Sequence, residues 1–313
     1  MVIGIVAVQA LLVPLFAGLA SNLAPRDLPV AVAGPPPAAD QFAARLEAAP
    51  GAFEVTRVAD QAAADQALRD REVYAALVAG PEGVTLRTAS AASPVVAQLL
   101  TQAATGPPQV MDVVPASPGD PRGAGFAAGF LPLLLTSMFA GIALAVAVRA
   151  RWVRLGAAIG YAVLAGLVGA AVLGGWLGVL GGDYLANAAA IGLLALAVTG
   201  AVAGLGAALG GPGIGLGAVL TFLVANPLSA VPAAPELLPQ PWGEVGQWLP
   251  AGAGATLLRS VAWFDGAGAG PALWALASWA GIGVLLLLIG RARLGTAPAV
   301  GVGRPAPRLT PVG

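Results

Sequence analysis

Neither cysteine nor histidine occurs among the 313 residues, and every basic residue is arginine. Without cysteine there is no disulfide and no thiol nucleophile. Without histidine there is no Ser-His triad, and the loss of both removes the common zinc and haem ligand sets. Without lysine there is no Walker A lysine, so the chain cannot itself hydrolyse ATP in a P-loop. Charge is scarce too: 10% of residues carry it, at a net of zero. What is abundant is apolar and small, with 58% hydrophobic residues and 44 glycines. That balance predicts a polytopic α-helical membrane protein whose helices pack closely.

The scarce charge is concentrated. Residues 24–122 hold 11 of the 15 acidic residues and about half of the arginines. This insert follows an apolar run at residues 2–20, long enough for a first membrane span over 1–23. A cleaved signal peptide is the competing reading of that run, whose length exceeds the usual apolar core of such a peptide. Within the insert, Leu28-Pro29-Val30-Ala31-Val32-Ala33 predicts a strand and residues 38–48 a helix. Residues 53–58 alternate as a strand does, and Asp60 is placed to cap a helix reaching about Arg71. Two further strands, 73–78 and 84–88, flank a Gly80-Pro81-Glu82-Gly83 turn. Ser93 caps a helix from Pro94, and residues 109–114 form a last strand. The β-α-β-α-β-β-α-β order predicts an α/β domain on a mixed sheet, inserted between the first and second spans.

Residues 123–292 are read as five further spans, at about 125–148, 155–180, 184–209, 213–231 and 271–290. Arginine placement orients them. Arg149, Arg151 and Arg154 occupy the loop after the second span, and Arg291, Arg293, Arg304 and Arg308 follow the last, with no acidic residue beside either cluster. Six spans therefore place both termini in the cytoplasm, the 24–122 domain outside, and residues 293–313 as a cytoplasmic tail without fixed structure. Residues 232–270 remain outside, rich in proline and tryptophan, with a short helix expected at 254–264. That composition suits a re-entrant or interfacial element.

No catalytic, cofactor-binding or metal-binding set emerges. The central parts of the spans hold no Asp, Glu or Arg, which argues against a proton- or ion-coupled transporter. Asn226 and Pro227 suggest a hinge into the outer element: proline frees a carbonyl one turn back, and asparagine can satisfy exposed backbone. Arg259 and Asp265 are the charged residues of that element near its expected helix. Arg149, Arg151 and Arg154 are candidates for a cytoplasmic contact. Arg69-Asp70-Arg71-Glu72 reads as a solvated helix end. Ser90 and Ser93 have no base to activate them and read as caps. The pairs Gly156/Gly160, Gly174/Gly178, Gly200/Gly204, Gly206/Gly210 and Gly213/Gly217 permit close helix approach.

Several stretches together carry a family likeness: Leu68-Arg69-Asp70-Arg71-Glu72-Val73-Tyr74, Thr88-Ala89-Ser90-Ala91-Ala92-Ser93-Pro94, Asp120-Pro121-Arg122-Gly123, Asn226-Pro227-Leu228-Ser229, and Leu257-Leu258-Arg259-Ser260-Val261 with Phe264-Asp265-Gly266. With the order of one span, an outer domain and five spans, the chain resembles the ABC-2 type permease superfamily, and within it the YhgE/Pip (phage infection protein)-like membrane proteins. The resemblance implies an export-type permease half in a bacterial plasma membrane. Such a half contacts lipid, pairs as a homodimer or permease heterodimer, and borrows ATP hydrolysis from a separate ABC ATPase subunit; nucleic acid is not an expected partner. The 149–154 loop is shorter than the coupling helix such permeases carry between these spans. The alternative is a non-transporting envelope protein whose outer domain binds a secreted protein, wall component or phage.

Overall fold

The computed structural model describes residues 2–81, 83–103 and 109–290. The arginines from Arg291 onward and the expected tail lie outside the described residues. The first helix, α1 (Val2–Val13), runs on through a π-helical turn, Pro14–Gly18, into a last turn, Leu19–Ser21.

The sheet domain is built on β1 (Leu28–Ala33), which pairs in parallel with β2 (Phe53–Arg57) on one side and β3 (Ala75–Gly80) on the other. β3 turns back into antiparallel β4 (Gly83–Thr88), and β5 (Gln109–Asp112) adds in parallel, giving the order β2-β1-β3-β4-β5. The helices α2 (Pro36–Glu47), α3 (Gln61–Arg69) and α4 (Pro94–Ala103) make the connections. β1 is buried at every position but Pro29, as its unbroken apolar run requires of an inner strand. β2 and β5 keep their polar side chains in solvent at the two edges. Caps form where the sequence placed them: Ala63 N–H donates to Asp60 at 2.9 Å, and Val96 N–H to Ser93 Oγ at 3.3 Å. Gly34 is required by both space and backbone, since at φ +132° its Cβ would stand 2.7 Å from the Ala79 carbonyl oxygen.

Five helices are long and apolar enough to cross a membrane: α5 (Ala124–Ala147), α6 (Arg151–Ala170, continued as a π-helix over Ala171–Trp176), α7 (Tyr184–Leu209), α8 (Gly211–Ala218, continued to Leu228), and the last helix of the chain, Gly270–Ile289. These are five of the expected six among the described residues; of the first helix, the apolar stretch described is Gln9–Ser21. α7 is the axis: 72% of its apolar window is buried, against 28–33% in the other four. Glycine makes that possible. A Cβ at Gly204 would lie 2.6 Å from the Gly283 carbonyl, and one at Gly217 would lie 2.8 Å from Val202 Cα. Backbones therefore touch along the helices, where dispersion rather than dehydration drives packing in lipid. Gly156 and Gly160, by contrast, have no heavy atom within 4 Å of their would-be Cβ and lie on an exposed face of α6.

Charges sit at helix ends. Asp120 accepts from the first N–H groups of α5, those of Gly125 at 2.9 Å and Phe126 at 2.7 Å; Asp183 does the same at α7, from Ala186 at 2.8 Å.

Between α8 and the last helix lie a 3₁₀ turn (Pro235–Leu237), α9 (Trp242–Trp248) and α10 (Pro250–Trp263), with α11 (Gly270–Ile289) completing the chain of helices. The helix expected at 254–264 starts earlier because Pro250 suits the first helical position, its missing N–H costing nothing there. The α9–α10 elbow is inserted deep among the helices. Gly254 abuts Leu194, ten residues into α7, and Trp279, nine residues into α11, donates its indole N–H to the Trp248 carbonyl at 2.8 Å. At ~1.5 Å per residue the elbow lies about 14 Å from the ends of α7 and α11 nearest the sheet domain. The carbonyl left over at the end of α9 is thereby satisfied away from water.

Candidate functional site

α10 rises from that elbow to the sheet domain and plugs into it, Trp263 and Phe264 packing on its core and Trp263 Nε1 donating to Ser117 Oγ at 3.2 Å. One turn below that plug, a cavity of about 610 Å³ opens between the domain, the 3₁₀ turn and the α9–α10 hairpin. Its inner polar groups come from distant parts of the chain: Arg71 and Tyr74 from the domain, Glu236 from the turn, Gln247 from α9, and Thr256 and Arg259 from α10.

Arg71 owes its position to a helix cap. Arg71 N–H bonds the Leu68 carbonyl at 3.3 Å and Glu72 N–H the Ala67 carbonyl at 2.9 Å, closing α3 with Arg71 at the left-handed position (φ 59°) that glycine usually fills. A side chain there costs about 1 kcal/mol or more. Here it crosses to α10, donating Nη1 to the Thr256 carbonyl at 3.1 Å and to Ser260 Oγ, with its guanidinium 5.2 Å from the Phe264 ring centre. Burial pulls its pKa below that of an exposed guanidinium; Tyr74 and Glu236 beside it act in the opposite sense.

Arg259 is 6% exposed. It donates to the Val231 carbonyl, in the loop after α8, and lies 4.7 Å over the ring of Phe126 on α5. Tyr74 donates its hydroxyl to Glu236 at 2.8 Å, and burial, reinforced by the Glu236 charge, raises the phenol well above its ordinary value, so it remains a donor. Thr256 Oγ1 donates to Gln247 Oε1 at 2.6 Å, and Gln247 Nε2 is buried with no protein partner among the described residues. Salt bridges among the described residues join Arg57 to Asp40 and Arg87 to Asp65, so neither Arg71 nor Arg259 has a carboxylate within 4.0 Å there. Around the mouth the sign reverses: Asp27, Glu54, Glu72 and Glu244 line it and are exposed. The cavity thus offers two anchored cations and the Glu236 carboxylate within, and four exposed carboxylates at the mouth.

Of the candidate site residues Asn226, Pro227, Arg259, Asp265, Arg149, Arg151 and Arg154, Arg259 alone lies in this cavity. Asp265 stands in the exposed turn after α10, at φ 49°, and forms no ion pair with Arg259. Asn226 and Pro227 line a separate crevice of about 310 Å³ with Phe16 and Leu19. A π-helical stretch, Val219–Val224, lies just before Pro227. Where this helix ends, Ser229 Oγ donates to the Asn226 carbonyl at 2.6 Å. At the opposite end of the bundle, Arg154 folds back to the Val148 carbonyl at 2.8 Å, and Arg151 reaches the Leu288 carbonyl at 3.5 Å. Both cap helix C-termini, while Arg149 is exposed.

Arg71 corrects the solvated reading of Arg69-Asp70-Arg71-Glu72, and Tyr74, Glu236, Gln247 and Thr256 carry no local signal of their partnership. An arginine where a helix stop would favour glycine was the available hint. Ser90 and Ser93 are structural: Ser90 Oγ donates to Asp112 and accepts from Ala116 N–H at 2.9 Å. A scan against protein-family models and searches of curated proteins and of solved structures returned no match for this chain.

Proposed function

We propose that this chain is an ABC-2 permease-like subunit, the membrane half of an exporter that works as a dimer with a separate ATPase. The observation that carries the reading is the α9–α10 hairpin, inserted between the last two long helices and fastened to an outer domain by Trp263, Phe264 and Arg71. A hairpin joined to both an outside module and the helix axis α7 is suited to pass movement between a recognition domain and a pathway. The exposed Gly156/Gly160 face of α6 supplies a close-approach surface for a second permease half. In this reading the first helix is the sixth span, both termini are cytoplasmic, and the sheet domain faces outward in a bacterial plasma membrane.

The natural absence of cysteine makes the topology directly testable. A single cysteine at Ala150 is expected to resist a membrane-impermeant maleimide in intact cells, and one at Asp40 to react; labelling of both would overturn the orientation. The ATPase is tested by affinity purification of the full chain from its native membrane. Recovery of an ATPase subunit at a fixed ratio supports the exporter, and its absence from a chain recovered as a monomer sinks it.

One observation favours the second reading, a non-transporting envelope protein that binds through its outer domain. The connection between α5 and α6 is three residues, 148–150, and that between α7 and α8 is Gly210 alone. These leave little for an ATPase to grip among the described residues.

A further inference from the structure

Arg71 and Arg259 enter one cavity from elements far apart in sequence, and each leaves donors unused. A guanidinium has five N–H groups; Arg71 engages Nη1 and Arg259 engages Nη2 in the contacts formed within the protein. A buried cation with no counter-charge is costly, and two of them near each other more so. The cost is relieved by a single anionic group between them, planar or tetrahedral oxygens being what guanidinium forks bind best. The buried, unpartnered amide of Gln247 is a further donor on the same wall.

A free dianion is a poor fit, because the exposed carboxylates at the mouth repel it on the way in. A molecule with an anion at one end and a cation a few bonds away satisfies both layers. Apart from Arg26 and Gln240, the remaining wall is apolar, with Trp248, 68% exposed at the elbow, and Pro271 and Ala272 at the start of α11. Trp242 and Trp274 are also exposed on α9 and α11. The exposed indole of Trp274, four residues into α11, suits headgroup level, whereas Trp248 lies deeper, at the elbow.

We propose that this cavity binds a phosphoammonium group, its phosphate held between Arg71 and Arg259 and its ammonium against Glu236 and Glu244, with phosphatidylethanolamine as the source. The acyl chains then leave past Trp248 into the surrounding lipid. The proposal stands whether or not the helices transport anything, since it needs only the junction as folded.

The test uses the full chain, stripped of lipid in a neutral detergent and examined by native mass spectrometry with phosphatidylethanolamine, phosphatidylglycerol or free phosphoethanolamine. One phosphatidylethanolamine per chain is expected to resist washing, bound roughly tenfold tighter than phosphatidylglycerol, the scale of one charge-assisted contact. R71Q is expected to lose that preference and R71K to keep most of it. E236Q, which still accepts from Tyr74, is expected to shift selectivity towards phosphatidylglycerol, an effect that a merely structural role for Glu236 would not produce. Free phosphoethanolamine binding as well as the lipid supports the site with a soluble source. Equal retention of both lipids by wild type and R71Q, or a preference for phosphatidylglycerol in the wild type, overturns the proposal.

Discussion

Two arginines in this molecule are buried to nearly the same degree, Arg87 at 4% exposure in the sheet domain and Arg259 at 6% beside the junction cavity. Their surroundings differ in kind. Arg87 is clasped by Asp65, its Nη2 donating at 2.6 Å and its Nε to the other carboxylate oxygen. Arg259 has a backbone carbonyl, an aromatic face and an opening into a cavity. The first arrangement is closed: charge, geometry and donors are matched within the fold. The second is open, and the protein tolerates it at a place where two separately folded parts meet. What the pair teaches is that burial of an arginine says little by itself; whether its counter-charge is built in separates a structural ion pair from a place to bind something.

The comparison breaks most visibly at its closed side. D65A strands the Arg87 guanidinium in the domain interior, and breaking one half of a buried pair costs about 3–5 kcal/mol. Heat denaturation of the detergent-solubilised chain, with limited proteolysis of the outer domain, should show that loss. Replacing both, as D65L with R87M, should recover most of it, because no charge is left unpaired. A mild effect of D65A would mean the pair is solvated and the contrast with Arg259 false.

R259M tests the open side. No acid is stranded by removing this arginine; what is lost is the bond to Val231 and the contact with Phe126, worth about 2 kcal/mol together. The loss is expected to be smaller than for D65A in the same assay. If it equals or exceeds it, Arg259 is a keystone of the fold and the two sites are alike after all.

The reason one site was legible in the sequence and the other was not is the range of the interactions. The long apolar runs place all five of the long helices to within about four residues, 184–209 matching Tyr184–Leu209 at both ends, since a span is specified by its own composition. The succession of strands and helices along the sheet domain likewise follows from local alternation, turns and caps, Asp60 and Ser93 included. The cavity is built from contacts across the chain: Arg71 meets Thr256 at a separation of 185 residues, and Tyr74 meets Glu236 at 162. Locally, Arg71 sits in a run of alternating charges that looks like any solvated helix end. Only the docking of α10 on the domain buries it. Arg259 was visible as an unusual charge in an apolar stretch, whereas Asp265 lies in the exposed turn after Phe264.

Tyr74 gives the smallest expected effect and the finest discrimination. Its hydroxyl satisfies Glu236 without neutralising it, so the carboxylate keeps a charge that an arginine partner would have cancelled. Y74F removes one hydrogen bond, a cost of about 1 kcal/mol at neutral pH. Alkaline conditions carry the sharper prediction. The folded phenol is raised above its ordinary value by burial and by Glu236, so it binds its proton more tightly folded than unfolded. Its contribution is therefore complete below about pH 10, where both states are protonated, and is lost as pH rises from there towards the folded value. The wild type should lose stability above that pH more steeply than Y74F, with the two curves converging. Parallel curves would mean that the phenol reaches solvent and that Glu236 is held by something else, which would remove the phenol–carboxylate pair from the wall of the cavity and with it the sense in which that wall differs from the Arg87 site.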